Sequence, residues 1–513
     1  MNPSYLSITR QLNNENRPIS TNSDKSGRFH SSWLNMLYPR LKLARNLLKD
    51  SGAIFISIGD RELANLIKIC CEVFGEENHI ATLVWEKKKK GAFLSGTHTN
   101  IKEYVIVFAK NISECLGVIG ETTSEMETYP VIKTTNKRGV RVIRAGIESK
   151  YKDKNIYLPA GHRISAGNQE MILISPMEIK SSILINDVEI DSNWIYSQSS
   201  IDEFCSKNEL YITQDLYFRR VVSSVRHKKI KDLLPRVGTS GDSSPSFKRS
   251  DNLFDDGWGT NEDANNELHK LFGKQNVFQF TKPAKLISKL ISSFTVERDI
   301  VLDFFAGSGT TGNAVYDFNN QSGKDVRFIL VQLPELLDKN NKDQIVAYNF
   351  CRELNLPTHI SSLTKERLIR SDTTNEGFRF FKLDKTNIRV WDVDFDNLEQ
   401  VLQKASNSVK NGRNAEDILY EILLKYGIEL TTHVEEVTVE GKKIFVVGTG
   451  ALIVCLDDDI TEQVIEGIAK LKEKLNPESM QVVFKDQGFA DCIVKTNAIQ
   501  ILKQYGINDV KSI

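Results

Sequence analysis

The chain lacks most of the features that would place it in a specialised class. Seven cysteines are scattered over 513 residues and no two stand as Cys-x-x-Cys. A zinc framework and a disulfide scaffold are therefore both unexpected, and the expected compartment is reducing. The eight histidines show no metal-ligand spacing, so no metal site is expected. An excess of one charge is missing too: 67 Lys plus Arg face 67 Asp plus Glu, a formal net charge of +0. That balance removes any global electrostatic reason to bind nucleic acid. Local basic patches are untouched by it, because charges act over about 8–10 Å. No apolar run approaches the roughly 18–20 residues of a membrane helix. The opening MNPSYLSITRQLNNENRPIS is polar and has no secretion-signal core. A cytoplasmic protein without a membrane partner is expected. Internal repeats and long low-complexity tracts are absent, and no two of the twelve prolines are adjacent.

What is present suits a soluble globular chain of two to four domains: 40% hydrophobic and 26% charged residues. Residues 33–48 carry Leu34, Leu37, Leu41, Ala44, Leu47 and Leu48 at helical spacing. Ala53 to Ile58 is a short β-branched run of the kind buried on both faces in parallel sheets. A second amphipathic helix is predicted over 61–74, and strands over 80–85 and 104–109. The link between those strands contains Lys87, Lys88, Lys89 and Lys90.

From 113 to about 270 the rhythm is lost. Short strand-like pieces at 140–143, 171–174 and 183–190 alternate with turn clusters such as Gly238 to Pro245. Between Arg219 and Arg249 stand nine Lys or Arg against two Asp or Glu. Such a run is either a solvated face or a local basic surface. The α/β pattern then returns, with predicted helices over 283–294, 343–354 and 363–370 and strands over 300–305 and 328–333. After residue 377 a small α/β unit, with 378–382 and 417–423 leading into it, runs to the C-terminus.

The most informative stretch is IVLDFFAGSGTTG, residues 300–312. An apolar strand ends at Asp303, continues through Phe304, Phe305 and Ala306, and enters the turn Gly307, Ser308, Gly309, Thr310. Glycines admit positive φ and close approach of a ligand to the backbone, and the following helix offers free N–H groups. Carboxyl ends of strands are where open α/β sheets bind ligands. Three readings fit. One is a tight structural turn. Another is a dinucleotide loop, since Gly307, Gly309 and Gly312 satisfy G-x-G-x-x-G. The third is a loop for S-adenosylmethionine (AdoMet), whose cationic methionine end is met by Asp303. Gln332 and Glu335, beyond the next strand, stand where ribose hydroxyls would need a partner in either cofactor reading. No Gly-Lys-Ser/Thr follows, which excludes a P-loop.

The string DFFAGSGTTGNAV resembles the AdoMet motif of DNA amino-methyltransferases. Phe280 to Pro283 resembles the family's Lys-Pro element, which implicates Lys282 and Pro283 in cofactor binding. Residues 26–60, 85–110, 365–370 and 377–384 are similar to further family segments, and the C-terminal part resembles modification subunits of type III restriction-modification systems. The resemblance implies an α/β, doubly wound, Rossmann-like AdoMet-dependent methyltransferase fold of the β class. It implies a catalytic half at 1–112, an inserted target-recognition domain at 113–270, an AdoMet half at 271–372 and a small α/β domain at 373–513. The implied reaction is methyl transfer from AdoMet to adenine N6 in duplex DNA. Implied partners are double-stranded DNA, a second copy of the chain and a restriction subunit. It raises the expectation that Arg219, Arg220, Arg226, Lys228, Lys229 and Lys231, and also Lys87 to Lys90, hold DNA phosphates.

One family element is not found. The family presents an Asp/Asn/Ser-Pro-Pro-aromatic string at a strand end, where it accepts the amine of a flipped base. Here no Pro-Pro pair exists. The nearest string, Asn2-Pro3-Ser4-Tyr5, has no second proline and no preceding strand. No catalytic residue is therefore assigned. The expectation is a chain lacking that strand: a shortened enzyme, an inactive AdoMet- and DNA-binding remnant, or one half of a split methyltransferase completed by an upstream polypeptide. Trp33, Trp85, Trp258 and Phe93 are expected in packing rather than base stacking. His30 and His98 are not assigned as general bases.

Overall fold

The computed structural model describes residues 29–88, 98–123, 127–166, 169–222, 226–237, 251–253, 256–388, 409–410 and 412–513. Asn2 to Tyr5, Lys89, Lys90, Phe93 and the Gly238–Pro245 cluster lie outside them. The chain forms two compact units, Met1–Gly377 and Phe378–Ile513.

The first unit begins with α1 (Phe29–Leu47), β1 (Ala53–Ile58), α2 (Leu63–Phe74), β2 (His79–Glu86) and β3 (Lys102–Ala109). Helix α1 buries Leu37, Leu41 and Ala44, one residue per turn on one face. Helix α2 buries Leu66, Ile69, Cys70, Val73 and Phe74 and stops at Gly75, whose φ is +95°. The two helices cover one face of the sheet through Ile106 and Phe108. Alternate residues Val105 and Val107 point to the other face, against Leu83, Trp85, Trp258, Leu286 and Leu290. The period of two along the apolar stretch Val105–Ala109 thus feeds two cores at once.

That arrangement corrects the parallel reading of residues 53–58. Strand β1 is antiparallel to β3, with Ala53 opposite Ala109 and Ile58 opposite Tyr104. Strand β3 is the central one, flanked by β1 and by antiparallel β2. Strand β1 is itself only half-buried, with Ser57 exposed; burial on both faces belongs to β3 and comes from layers on either side, not from parallel pairing. Burial sets the apolar pattern and strand direction does not, so the two cannot be told apart from the run alone. The short strand Leu233–Leu234 joins β2 in parallel.

Residues 131–218 form their own all-β core, from Val131 to Phe218, with one helix at Gln198–Ser206. A four-stranded and a seven-stranded sheet share it. The expected strand 183–190 is two strands, Ile183–Leu184 and Val188–Ser192, in different sheets. Asn186 breaks it: its side chain accepts the Glu178 N–H (2.9 Å) and donates to the Pro176 carbonyl (2.8 Å). Val118, Leu234 and Trp258 pack with β2 and β3 instead of this core.

The unit closes with α3 (Asn261–Phe272), α4 (Ala284–Ser292), β4 (Ile300–Asp303), α5 (Thr310–Ser322), β5 (Arg327–Leu330), α6 (Ile345–Glu353) and α7 (Ile360–Ser371). Strands β4 and β5 are parallel, Asp303 opposite Leu330. Among the described residues β1 pairs only with β3, and β4 only with β5. The two sheets are neighbours all the same. Lys49, just before β1, bonds Asp299, just before β4, at 2.6 Å. The Phe55 and Phe294 rings lie edge to face, 5.7 Å apart. The single doubly wound sheet expected is therefore two open sheets here, with β1 at an edge of one and β4 at an edge of the other among the described residues.

The second unit is a five-stranded sheet, β6 (Val434–Val439) to β10 (Asp509–Ser512), in sequential order with β7 (Lys442–Val447), β8 (Leu452–Cys455) and β9 (Gln481–Phe484) between. Its first three strands are antiparallel and its last three parallel. Helix α8 (Ala415–Lys425) packs on one face, while α9 (Glu462–Leu475) and α10 (Cys492–Gln504) pack on the other. Among the described residues no helix is long and apolar enough to cross a membrane.

Candidate cofactor and nucleic-acid site

Strand β4 delivers Asp303 to the start of the glycine turn. One carboxylate oxygen accepts the Phe305 N–H (3.0 Å) and the other accepts the Thr311 hydroxyl (2.6 Å). The carboxylate is thereby pinned to both sides of the turn, with acceptor capacity left over. Phe304 is half-buried, and Phe305 is 54% exposed with its ring 5.2 Å from that of Phe304. Ala306 is buried, and its N–H reaches the Val331 carbonyl.

The three glycines do different jobs. Gly307 and Gly309 both have positive φ, +54° and +78°. A Cβ on Gly309 would stand 3.2 Å from Thr364, and one on Gly312 only 2.4 Å from the Leu368 side chain. Those two glycines let α5 pack on α7. A Cβ on Gly307 meets nothing nearer than 3.7 Å, so this is where the turn leaves room for a ligand. The Gly307 N–H donates to the Gln332 side-chain oxygen (2.7 Å), joining the turn to the end of β5. Glu335, half-exposed, lies in the same loop, and its carbonyl accepts the Ile360 N–H that opens α7.

Buried Ser308 and Thr310 share a hydroxyl cluster with Thr281, at 2.9–3.2 Å. Arg367 of α7 donates into that cluster, and Thr364 donates to the Gly307 carbonyl (2.6 Å). Sequence reasoning missed both α7 residues. The available signal was an arginine in the buried register of an amphipathic helix, alongside Leu363, Thr364, Leu368 and Ser371.

Lys282 follows Thr281, and Pro283 caps α4 at φ −68°. The Lys282 ammonium pairs with Glu103 of β3 and lies 5.0 Å over the Trp85 ring. Glu103 also pairs with Lys87 at 3.0 Å. Burial alone would raise the Glu103 carboxyl pKa; the Lys282 and Lys87 ammoniums outweigh it and hold the pKa below the ordinary value. A lysine expected at the cofactor and a lysine expected at DNA therefore meet on one carboxylate. Lys88 is exposed. Asp60, beyond β1, pairs with Lys102, whose hydrogen bond lowers its pKa against a smaller effect of burial.

The basic run divides in two. Arg219 donates to the Thr128 hydroxyl (3.0 Å) and carbonyl (2.8 Å). Arg220 pairs with Glu209 at 2.8 Å and lies 3.7 Å over the Phe204 ring. These two arginines face the all-β region itself. Arg226 to Lys229 instead form an exposed strand paired with Ile119–Thr123. Lys228 pairs there with Glu121 at 3.2 Å, Arg226 lies 5.3 Å from the Tyr129 ring, and Lys229 bonds the Leu116 carbonyl. Lys231 is exposed two residues beyond. Trp85 and Trp258 are core residues at 1% and 0% exposure, and Trp33 packs against α2.

A DNA methylase family, N6_N4_Mtase, matches residues 11–329. The type III restriction-modification enzyme StyLTI Mod subunit of Salmonella typhimurium is 29% identical over 358 residues, covering 69% of this chain and 48% of that protein. The EcoP15I Mod subunit of Escherichia coli is 29% identical over 383 residues, covering 70% and 54%. The type II methyltransferase M.KpnI of Klebsiella pneumoniae is 28% identical over 396 residues, covering 76% and 84%. The chain spans about half the length of the Mod subunits it matches.

Proposed function

The chain belongs to the DNA methylase family, and from that premise we propose that it is the AdoMet- and DNA-binding body of an adenine-N6 methyltransferase of the type III modification kind. The observation that carries this reading is the turn itself. A pinned carboxylate at the end of a parallel strand lies beside the one glycine whose Cβ space is open. That donor set fits AdoMet: Asp303 would face the cationic methionine end, Gln332 and Glu335 the ribose side, and exposed Phe305 offers an aromatic surface. When bound, AdoMet supplies the methyl group. This chain's residues bind and orient it, and Lys282, clamped by Glu103, fixes the distance between the turn and the β2–β3 end. The fit to a dinucleotide is poorer, because the space over Gly309, where the second glycine of that fingerprint admits the pyrophosphate, is taken by Thr364 of α7.

On this reading residues 113–270 hold the target-recognition domain, and the exposed strand Arg226–Lys229 with Lys231 meets DNA phosphates. Lys88, exposed beyond β2, is a further candidate for phosphate contact, whereas Lys87 is engaged by Glu103. A restriction subunit and a second copy of the chain are the proposed protein partners, and the cytoplasm the proposed location. The amine-accepting Pro-Pro string is absent from the 513 residues. Among the described residues β1 and β4 each have an edge with no partner strand, where a strand carrying such a string would add to the sheet.

Calorimetry with AdoMet and NAD tests the cofactor: AdoMet binding without NAD binding is expected, and the reverse sinks the reading. Methyl transfer from labelled AdoMet to adenine in duplex DNA tests the chemistry. Little or no turnover is expected of this chain alone. Robust turnover would instead assign the amine-accepting role to Asn2–Tyr5.

A further inference from the structure

Arg367 is 0% exposed. Its Nη1 donates to Thr310 Oγ1 (2.8 Å), Ser308 Oγ (3.1 Å) and Thr281 Oγ1 (3.2 Å). Its Nε and Nη2 both reach Asn313 Oδ1, at 3.2 and 3.1 Å. These four acceptors are neutral. The Glu267 carboxylate stands 3.9 Å from Nη2, beyond hydrogen-bond reach. Burial lowers the guanidinium pKa to about 10, opposed by Glu267 and Asp317.

A cation in such a place is costly, and an apolar side chain of like volume commonly serves stability as well or better. What an apolar side chain cannot do is fix the direction of several hydroxyls at once. The planar guanidinium fork does so, because its donors are rigidly spaced. The oxygens it fixes belong to separate stretches of chain. Thr281 immediately precedes Lys282 and Pro283, Ser308 and Thr310 flank Gly309, and Asn313 is in the first turn of α5. Thr364, one turn earlier on α7, holds the Gly307 carbonyl from the same side. Helix α7 therefore grips the turn at two points.

We propose that Arg367 is a positioning residue for the cofactor: from beneath, it locks the Gly307–Thr310 turn and the Thr281–Pro283 segment into the arrangement that receives AdoMet. This rests on reading residues 303–310 as the AdoMet turn. Arg367 touches neither cofactor nor DNA in this role, so its loss acts on AdoMet affinity and leaves DNA affinity alone.

The test is calorimetry of AdoMet with wild type, Arg367→Lys, Arg367→Met and Thr281→Val, with duplex DNA binding by fluorescence anisotropy in parallel. Losing charged, buried hydrogen bonds predicts roughly a 10-fold rise in the AdoMet Kd for Arg367→Lys and about 100-fold for Arg367→Met. Thr281→Val keeps the arginine, removes one acceptor and guards against a misfolded Arg367→Met; a rise of about fivefold is expected. DNA affinity should stay within about twofold throughout.

A lysine at 367 adds a readout that packing alone would not move. On the elements packed against it, Glu267 of α3 and Asp317 of α5 carry the charges. Burial depresses a lysine's pKa, so the ratio of Arg367→Lys to wild-type Kd should climb between about pH 7 and 9 as the ammonium is lost. Equal AdoMet affinity for wild type and all three variants would overturn the inference alone, as would parallel losses of AdoMet and DNA binding. Failure of the wild type to bind AdoMet would overturn the cofactor reading and this inference with it.

Discussion

Two arginine-bearing regions of the first unit treat positive charge in opposite ways. Arg367 lies wholly inside and directs its donors at neutral oxygens of a glycine turn. Arg226 to Lys229 lie on an exposed strand, where Lys228 pairs with Glu121. The first region uses a cation to fix geometry, and its effect is short-ranged and insensitive to salt. The second presents cations to solvent, where their field falls off over a Debye length and counterions govern its strength. Arg219 and Arg220 resemble the strand in sequence and the buried arginine in behaviour. Neighbourhood in the chain is therefore a poor guide to what a basic residue does.

The largest effect is expected at Asp303, whose carboxylate is pinned by two donors within the turn. Asp303→Ala should weaken AdoMet binding by about 100-fold or more, since it removes a charged partner and frees both donors; calorimetry reads it, and an unchanged Kd would refute the placement of the cofactor. Next is Gly312→Ala. Its new Cβ would stand 2.4 Å from the Leu368 side chain, and overpacking of this kind costs about 1–3 kcal/mol, seen as a lower denaturant midpoint.

Arg220→Ala tests the middle of the contrast. It should lower stability by about 1–3 kcal/mol, because the partly buried Glu209 loses its partner and the Phe204 ring its cation. The salt dependence of DNA binding should stay the same. Lys229→Ala should do the reverse, leaving stability nearly unchanged and reducing the slope of log K against log salt by about 1. If Arg220→Ala changes that slope, the division of the basic run is wrong.

The smallest effect concerns acid. The folded-state pKa of Glu103 is held below its ordinary value of 4.5 by Lys282 and Lys87, against the opposing effect of burial. Its contribution to stability is thus complete above the unfolded pKa and is lost as pH falls through the lower folded value. Urea titrations below about pH 4.5 should show a shallower acid loss in Glu103→Gln than in wild type.

Much of the turn was legible from residues 300–312 alone. The strand, the acidic end, the positive-φ glycines and the following helix all follow from local chain physics. The helices at 29–47, 63–74 and 360–371 were legible for the same reason: their apolar spacing repeats within a few residues. The functions of the individual glycines were not. Gly309 and Gly312 are set by Thr364 and Leu368, some fifty residues away in the chain. Strand direction at 53–58 was misread because an apolar run records burial and not the sense of its neighbour.

The order of residues says which segments can form the turn, which side chains can carry charge, and that these 513 residues hold no Pro-Pro string. Which charges meet follows from the packing of distant elements. Lys282 reaches Glu103 across 179 residues, and Arg367 reaches Thr281 across 86. Local periodicity carries no information about such pairs, because a side chain's partner is set by how whole elements stack. The same stacking put one arginine beneath a glycine turn and Arg226, Lys228 and Lys229 on an exposed strand.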